Sequence, residues 1–230
     1  MEFSAIFQKL FALTKLIRQA VGKGRFRMVA KSVVGVRRDA FRIRLARADE
    51  IDDIQNIDLR AAEMFRGTDL IDFGDPGEAL APIPEIRLRR GLGDSLLWVA
   101  VDERECPRGF ALCDDRGDDL YLDQLSVIPE FGRRGMGARL VALSYAEAVT
   151  RRFRRMSLST FRDVPWNGPF YRRLGFREIP HRRLQGWQRE LEAIQRQTMD
   201  VRKRCFMQRA VKRPIFRNSK SLLEKTARHP

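Results

Sequence analysis

The sequence predicts a mixed α/β domain, and three observations carry that prediction. Alternating apolar residues from Phe41 give way to helical periodicity from Ile54. Three strand-like runs then follow one another between Leu96 and Ile128. Finally, the last run enters a glycine-rich turn and a second helical segment between Leu125 and Val149.

Taken in order, Phe41, Ile43 and Leu45 alternate with Arg42 and Arg44, the pattern of a half-buried strand. Asp49 offers an N-cap to a helix whose apolar face is Ile54, Ile57, Ala61, Met64 and Phe65. From Gly67 to Pro84 the chain is rich in Gly, Pro and acids, with Asp69, Asp72, Asp75 and Glu78, and is long for a routine connection. These acids suit either a site for a cationic amine or a loop kept soluble by charge. Leu96 to Val101 and Arg108 to Cys113 read as strands around a polar turn. A second turn at Asp114 to Asp119 leads into Leu120 to Ile128, so three consecutive antiparallel strands are expected.

Leu125 to Pro129 end the third run, Gly132-Arg133-Arg134-Gly135-Met136-Gly137-Ala138 make the turn, and Arg139 to Val149 read as a helix. Glycines remove the Cβ atoms that would keep a ligand from the backbone. The first N–H groups of the helix lack internal acceptors, and the helix dipole favours negative charge there. A pyrophosphate fits this arrangement, as does a purely structural helix entry. The turn is neither a Walker loop, lacking Gly-Lys-Ser/Thr, nor a dinucleotide fingerprint with its G-x-G-x-x-G spacing.

A fourth strand is expected over Met156 to Phe161, followed by Asp163-Val-Pro-Trp-Asn-Gly-Pro-Phe-Tyr-Arg-Arg-Leu-Gly-Phe176. Here the chain resembles the GCN5-related N-acetyltransferase (GNAT) superfamily over about residues 41–180, extending toward Val211. One motif is the strand, turn and helix from Leu125 to Leu140, with Gly132 standing where the family commonly has a polar residue. The other is Asn167, Phe170, Tyr171, Leu174, Gly175 and Phe176. The resemblance implies a twisted, mostly antiparallel sheet of about six to seven strands flanked by helices and splayed where CoA enters. It implies acetyl transfer from acetyl-CoA to a primary amine, by direct attack in a ternary complex.

The same resemblance implies the site. Leu125, Ser126 and Val127 would meet the pantetheine arm, and Arg133, Arg134, Gly135, Met136, Gly137 and Ala138 the pyrophosphate, with Arg139 a further cation. Asn167 would contact the cofactor arm. Tyr171 would protonate the departing thiolate, thiol and phenol pKa values being close enough for transfer, or else simply pack beside Phe170. The attacking amine must lose a proton, and Asp123, on the strand before the CoA contacts, is the candidate base acting through water. Its plainer reading is a residue that caps a strand face or positions substrate. No metal is expected, and the acceptor is a small-molecule or protein amine.

Composition bounds the rest. Two histidines, His181 and His229, exclude a His-rich metal cage or a Ser-His-Asp triad in the middle of the chain. Cys106, Cys113 and Cys205 are odd in number and lack Cys-x-x-Cys spacing, which points to a reducing compartment, cytoplasm by default. Net charge is +15 over 230 residues, but it is uneven. Residues 1–40 carry nine Lys+Arg and two acids, residues 41–180 carry 22 and 24, and residues 181–230 carry 14 and four. A near-neutral domain, 41–211, therefore lies between a basic extension, 1–40, and a basic tail, 212–230.

Phe3, Ile6, Phe7, Leu10, Leu13, Ile17 and Ala20 form one face of an amphipathic helix too short and interrupted to span a bilayer. It fits organelle targeting, contact with an anionic membrane surface, or packing on the domain. The alternative function is a non-catalytic acyl-CoA-binding module docked by its basic ends on nucleic acid or a membrane.

Overall fold

The computed structural model describes residues 41–71 and 81–212. The chain divides into two units, Met1–Arg38 and Asp39–Pro230, and every described residue belongs to the second. The expected N-terminal helix, the tail beyond Lys212, and Asp72, Asp75 and Glu78 lie outside the described residues. Among the described residues no helix is long and apolar enough to cross a membrane.

The domain is mixed α/β, as expected. Strands β1 (Phe41–Leu45), β2 (Leu97–Asp102), β3 (Pro107–Asp115), β4 (Asp119–Val127), β5 (Arg155–Phe161), β6 (Arg177–Glu178) and β7 (Arg204–Ala210) form one sheet, ordered β1-β2-β3-β4-β5-β7-β6. All neighbours are antiparallel except β4 and β5. Helices α1 (Ile51–Ala62), α2 (Glu85–Gly93), α3 (Met136–Thr150), α4 (Gly168–Arg173) and α5 (Gly186–Gln195) cover it.

Strand alternation divides the core between the two faces of the sheet. Leu96, just before β2, and Trp98 and Ala100 on it join Leu140, Val141 and Ala148 of α3 in one cluster, while Leu97, Val99 and Val101 join Ile51, Ile54 and Ile57 of α1 and Leu88 of α2 in another. On β4, Leu120 and Leu122 belong to the α3 face, and Tyr121 turns to the opposite one, beneath Trp187 of α5. Both faces are therefore apolar, and the central strands read as nearly continuous hydrophobic runs.

Several expectations shift at the element ends. Glu50, rather than Asp49, stands at the start of α1: it is buried and its carboxylate accepts from the Arg47 N–H at 2.8 Å. The α-helix ends at Ala62, so Met64 and Phe65 fall in a 3₁₀ turn and Met64 is exposed. Leu45 is exposed at the end of the edge strand. Helix α2 has no counterpart in the sequence reading, because Arg87, Arg89 and Arg90 interrupt its apolar positions and only Leu88 and Gly91 are buried. Helix α3 begins at Met136, three residues earlier than expected, which puts Met136, Gly137 and Ala138 in its first turn.

Candidate functional site

Strand β4 is paired with β3 along its length but with β5 only from Asp119 to Leu122, opposite Arg155 to Leu158. Beyond Leu122 the two parallel strands part. The ladder between β3 and β4 also carries a bulge. Leu112 is opposite Gln124 and Cys113 opposite Leu122, so Asp123 is the extra residue where the strands separate.

The Ile128 N–H donates to the Arg108 carbonyl, toward β3. Alternation then directs the Ser126 backbone to β3 as well, and turns the N–H and C=O groups of Leu125 and Val127 toward the side that β5 has left. The side chain of Ser126 is buried and donates to Asp58 Oδ1 at 3.1 Å. Of the three residues expected to meet a pantetheine arm, Leu125 and Val127 thus expose backbone to the cleft, and Ser126 holds the opposite face together.

Helix α3 starts at the mouth of this cleft. Gly135 is its N-cap with φ +81°, a conformation that suits glycine, and no side chain caps the helix. The N–H groups of Met136, Gly137 and Ala138 begin the helix and point at the turn, where Arg133 also takes a positive φ of 58°. Arg133 and Arg134 are exposed, and the Arg134 guanidinium lies 4.8 Å from the Phe131 ring centre. Arg139 stacks similarly on Phe41 at 4.8 Å. The Met136 side chain is buried, so only its backbone serves the turn. A Cβ at Gly137 would sit 3.7 to 3.9 Å from Phe170, Leu125 and Val127, which places the helix start, the parted half of β4 and α4 around one point. An uncapped helix terminus with two arginines beside it fits a pyrophosphate.

Helix α4 supplies the second motif. A Cβ at Gly168 would collide with the Arg162 carbonyl oxygen, so glycine is required for α4 to close onto the end of β5. Asn167 precedes it, and its Nδ2 donates to Thr160 Oγ1 at 2.9 Å, while its side-chain oxygen accepts from no described residue. Tyr171 is 8% exposed, with ring centres of Phe170 and Phe176 at 5.0 and 5.9 Å. Its hydroxyl makes no hydrogen bond to another described residue. Burial pushes this phenol well above its ordinary pKa, so it is a proton-bearing donor at neutral pH.

The other face of the sheet holds the acids. Asp123 has a side chain only 14% exposed and pairs with Arg87 of α2. Burial raises its pKa and the Arg87 charge opposes the rise. Asp58 of α1 accepts from Gln124 Nε2 at 2.7 Å, from Ser126, and from the Ile83 N–H at 3.2 Å; here too burial raises the pKa against those hydrogen bonds. Asp58, Arg87 and Gln124 were not singled out by sequence, since each reads as an ordinary polar position until strand register brings them together. All three cysteines are free, and burial pushes the Cys113 thiol up to about 12, which makes it core rather than nucleophile. Among the described residues no group of His, Cys, Asp and Glu could hold a metal ion.

Comparison with known proteins agrees with this geometry. Residues 93–178 match the acetyltransferase (GNAT) domain. The fold is similar to the PaiA N-acetyltransferase of Thermoplasma acidophilum, solved with coenzyme A, at 13% identity and a TM-score of 0.55, covering 74% of this chain and 98% of that one. It is similar to the ribosomal-protein-S18-alanine N-acetyltransferase of Escherichia coli at 15% identity and TM-score 0.54, covering 77% and 98%. A phosphinothricin acetyltransferase from Sinorhizobium meliloti, solved with AcCoA, gives 20% identity and TM-score 0.53, covering 75% and 89%. Both sequence motifs therefore meet at the parted strands of a sheet whose fold is similar to that of these acetyltransferases, and the GNAT-domain match spans the stretch that holds them.

Proposed function

We propose that the protein is an acetyl-CoA-dependent N-acetyltransferase acting on a primary amine by direct transfer. The observation that supports this most is the meeting, around Gly137, of an uncapped helix start, the parted stretch of β4 and the helix that bears Tyr171. The N–H groups of Met136, Gly137 and Ala138 hold the pyrophosphate, aided by Arg133 and Arg134. Leu125 and Val127 hydrogen-bond the pantetheine arm in place of the missing strand, with the Asn167 amide oxygen as a further acceptor. Bound acetyl-CoA supplies the activated acyl carbon.

The chain's own residues perform the proton work. An amine must be neutral to attack, and an alkyl amine is mostly protonated at neutral pH. The Asp123 carboxylate, its pKa raised by burial against the opposing Arg87 charge, takes that proton through water. A backbone N–H of the parted strand polarises the thioester carbonyl. As the C–N bond forms and the C–S bond breaks, Tyr171 donates to the departing sulfur. Its raised pKa keeps the phenol protonated at the pH where the amine becomes free.

CoA release from acetyl-CoA against an amine panel tests the activity, with calorimetry measuring the affinity for acetyl-CoA. Tyr171→Phe is expected to lower kcat by about 100-fold while leaving acetyl-CoA affinity nearly unchanged. A protein that binds no acetyl-CoA would sink the reading, and unchanged kcat in Tyr171→Phe would remove the acid.

A further inference from the structure

Strand β7 begins at Arg204, opposite Phe161 at the end of β5. The guanidinium is part-buried, and its partners are neutral: Nε donates to Gln195 Oε1 at 3.2 Å, Nη2 to Ser159 Oγ at 3.1 Å, and the group stacks 4.7 Å from the Phe161 ring centre. No carboxylate among the described residues pairs with it. Nη1 donates to no described residue and is not sealed from solvent.

Arg204 lines a cavity whose other charges are matched. Glu178 pairs with Arg162 at 3.1 Å, Glu192 lies 3.2 Å from His181 Nε2 and 3.9 Å from Arg196, and neither carboxylate pairs with Arg204. Burial lowers its pKa, but an arginine does not give up its proton in a protein, so a part-buried positive charge persists. A buried charge is unfavourable unless a counter-charge reaches it.

Its place relative to the reaction decides what that counter-charge is. Tyr121, the last residue but one of the paired part of β4, feels both the Asp123 carboxylate and the Arg204 guanidinium, and Tyr171 also feels Arg204. Asp123 follows Leu122 on β4, and Ser159, which accepts from Arg204, follows Leu158 on β5, so a carboxylate and a guanidinium are held by the two strands just beyond their last paired residues.

We propose that Arg204 receives a carboxylate of the acceptor, so that the protein acetylates amines that also carry a carboxylate. The guanidinium is planar and offers paired donors that match a carboxylate. The amine then lies toward Asp123, and the two charges orient the acceptor along the cleft. The inference rests on the acetyl-transfer reading of this same site.

Matched pairs of free amino acids and their carboxamides, assayed with acetyl-CoA by CoA release, provide the test. The wild type is expected to favour the carboxylate member by at least about tenfold in kcat/KM, an effect of about 1.4 kcal/mol. Arg204→Gln should raise KM for that member by about tenfold or more, with KM for the carboxamide and acetyl-CoA affinity unchanged. A second arm needs no turnover: by calorimetry with CoA present, N-acetylglycine should bind the wild type and N-acetylglycinamide should not, and Arg204→Gln should abolish the difference. Arg204→Lys, which keeps the charge but not the fork, should retain part of the preference and serves where the Gln variant does not fold. Equal use of both members by the wild type, or equal N-acetylglycine binding by wild type and variants, would overturn the proposal. Failure of every amine to release CoA would instead overturn the acetyl-transfer reading, and the N-acetylglycine titration would still decide the role of Arg204.

Discussion

The Asp58 carboxylate on α1 accepts a hydrogen bond at 2.7 Å from Gln124 on β4, 66 residues away, immediately beside the bulge where the sheet opens. With Ser126 and the Ile83 N–H as its other donors, Asp58 ties α1, the segment before α2 and the parted strand together. It holds the rear of the strand whose front forms the cleft.

Asp58→Ala leaves those three donors without an acceptor in a partly buried site. A loss of about 2 kcal/mol in unfolding free energy is expected by urea titration. A change below about 0.5 kcal/mol would mean that water replaces the carboxylate and that the tie is unimportant.

The start of α1 provides a pH-dependent prediction. Burial alone would raise the Glu50 pKa, but hydrogen bonds from Arg44 at 2.6 and 2.8 Å and from the Arg47 N–H bring it below the ordinary glutamate value. A depressed carboxyl contributes stability above its unfolded pKa and loses it as pH falls through the folded value. Glu50→Gln should lower stability by about 2 kcal/mol at neutral pH, less than breaking a fully buried pair because Arg44 keeps some access to water. The Tm values of wild type and variant should converge as pH drops below about 4.5. A Tm difference independent of pH would refute the assignment.

Gly168→Ala should be among the most damaging single-methyl changes in the domain. The added carbon meets the Arg162 carbonyl oxygen, a backbone atom that cannot rotate away. About 3 kcal/mol of destabilisation is expected in thermal or urea unfolding. A near-native Tm would show that α4 is free to move off β5.

Gly135 separates backbone strain from electrostatics. Its φ of +81° disfavours any side chain, so Gly135→Ala should weaken acetyl-CoA binding modestly and destabilise by about 1 kcal/mol. Gly135→Glu adds a negative charge at the uncapped start of α3, and calorimetry should show affinity for acetyl-CoA reduced by about 100-fold or more. Equal affinity in the two variants would place the pyrophosphate elsewhere.

Much of this was legible in the chain. Alternation and turns located β1 to β5 to within about two residues, and the two motifs, being short and local, located the glycine turn that leads into α3, though not its exact start at Met136, and the position of Tyr171. Helix α2 escaped notice because it buries little more than Leu88 and Gly91 along its length. Strand β7 escaped because its place between β5 and β6 is a property of strand order, to which local patterning is blind. Ser126 shows the same limit at one residue: its motif suggests the cleft, while strand parity and a hydrogen bond to Asp58 commit it to the other face.

The sequence by itself determined the mixed α/β class, the glycine turn that leads into a helix and the tyrosine within the second motif. These depend on contacts between residues close along the chain, where spacing dictates geometry. Only the tertiary structure decided that Asp123 occupies a bulge beside Arg87, that Asp58 braces the parted strand, and that Arg204 is a part-buried charge paired with no carboxylate among the described residues. Those relationships join residues tens of positions apart, and they arise from register and burial, which exist only once the sheet has formed.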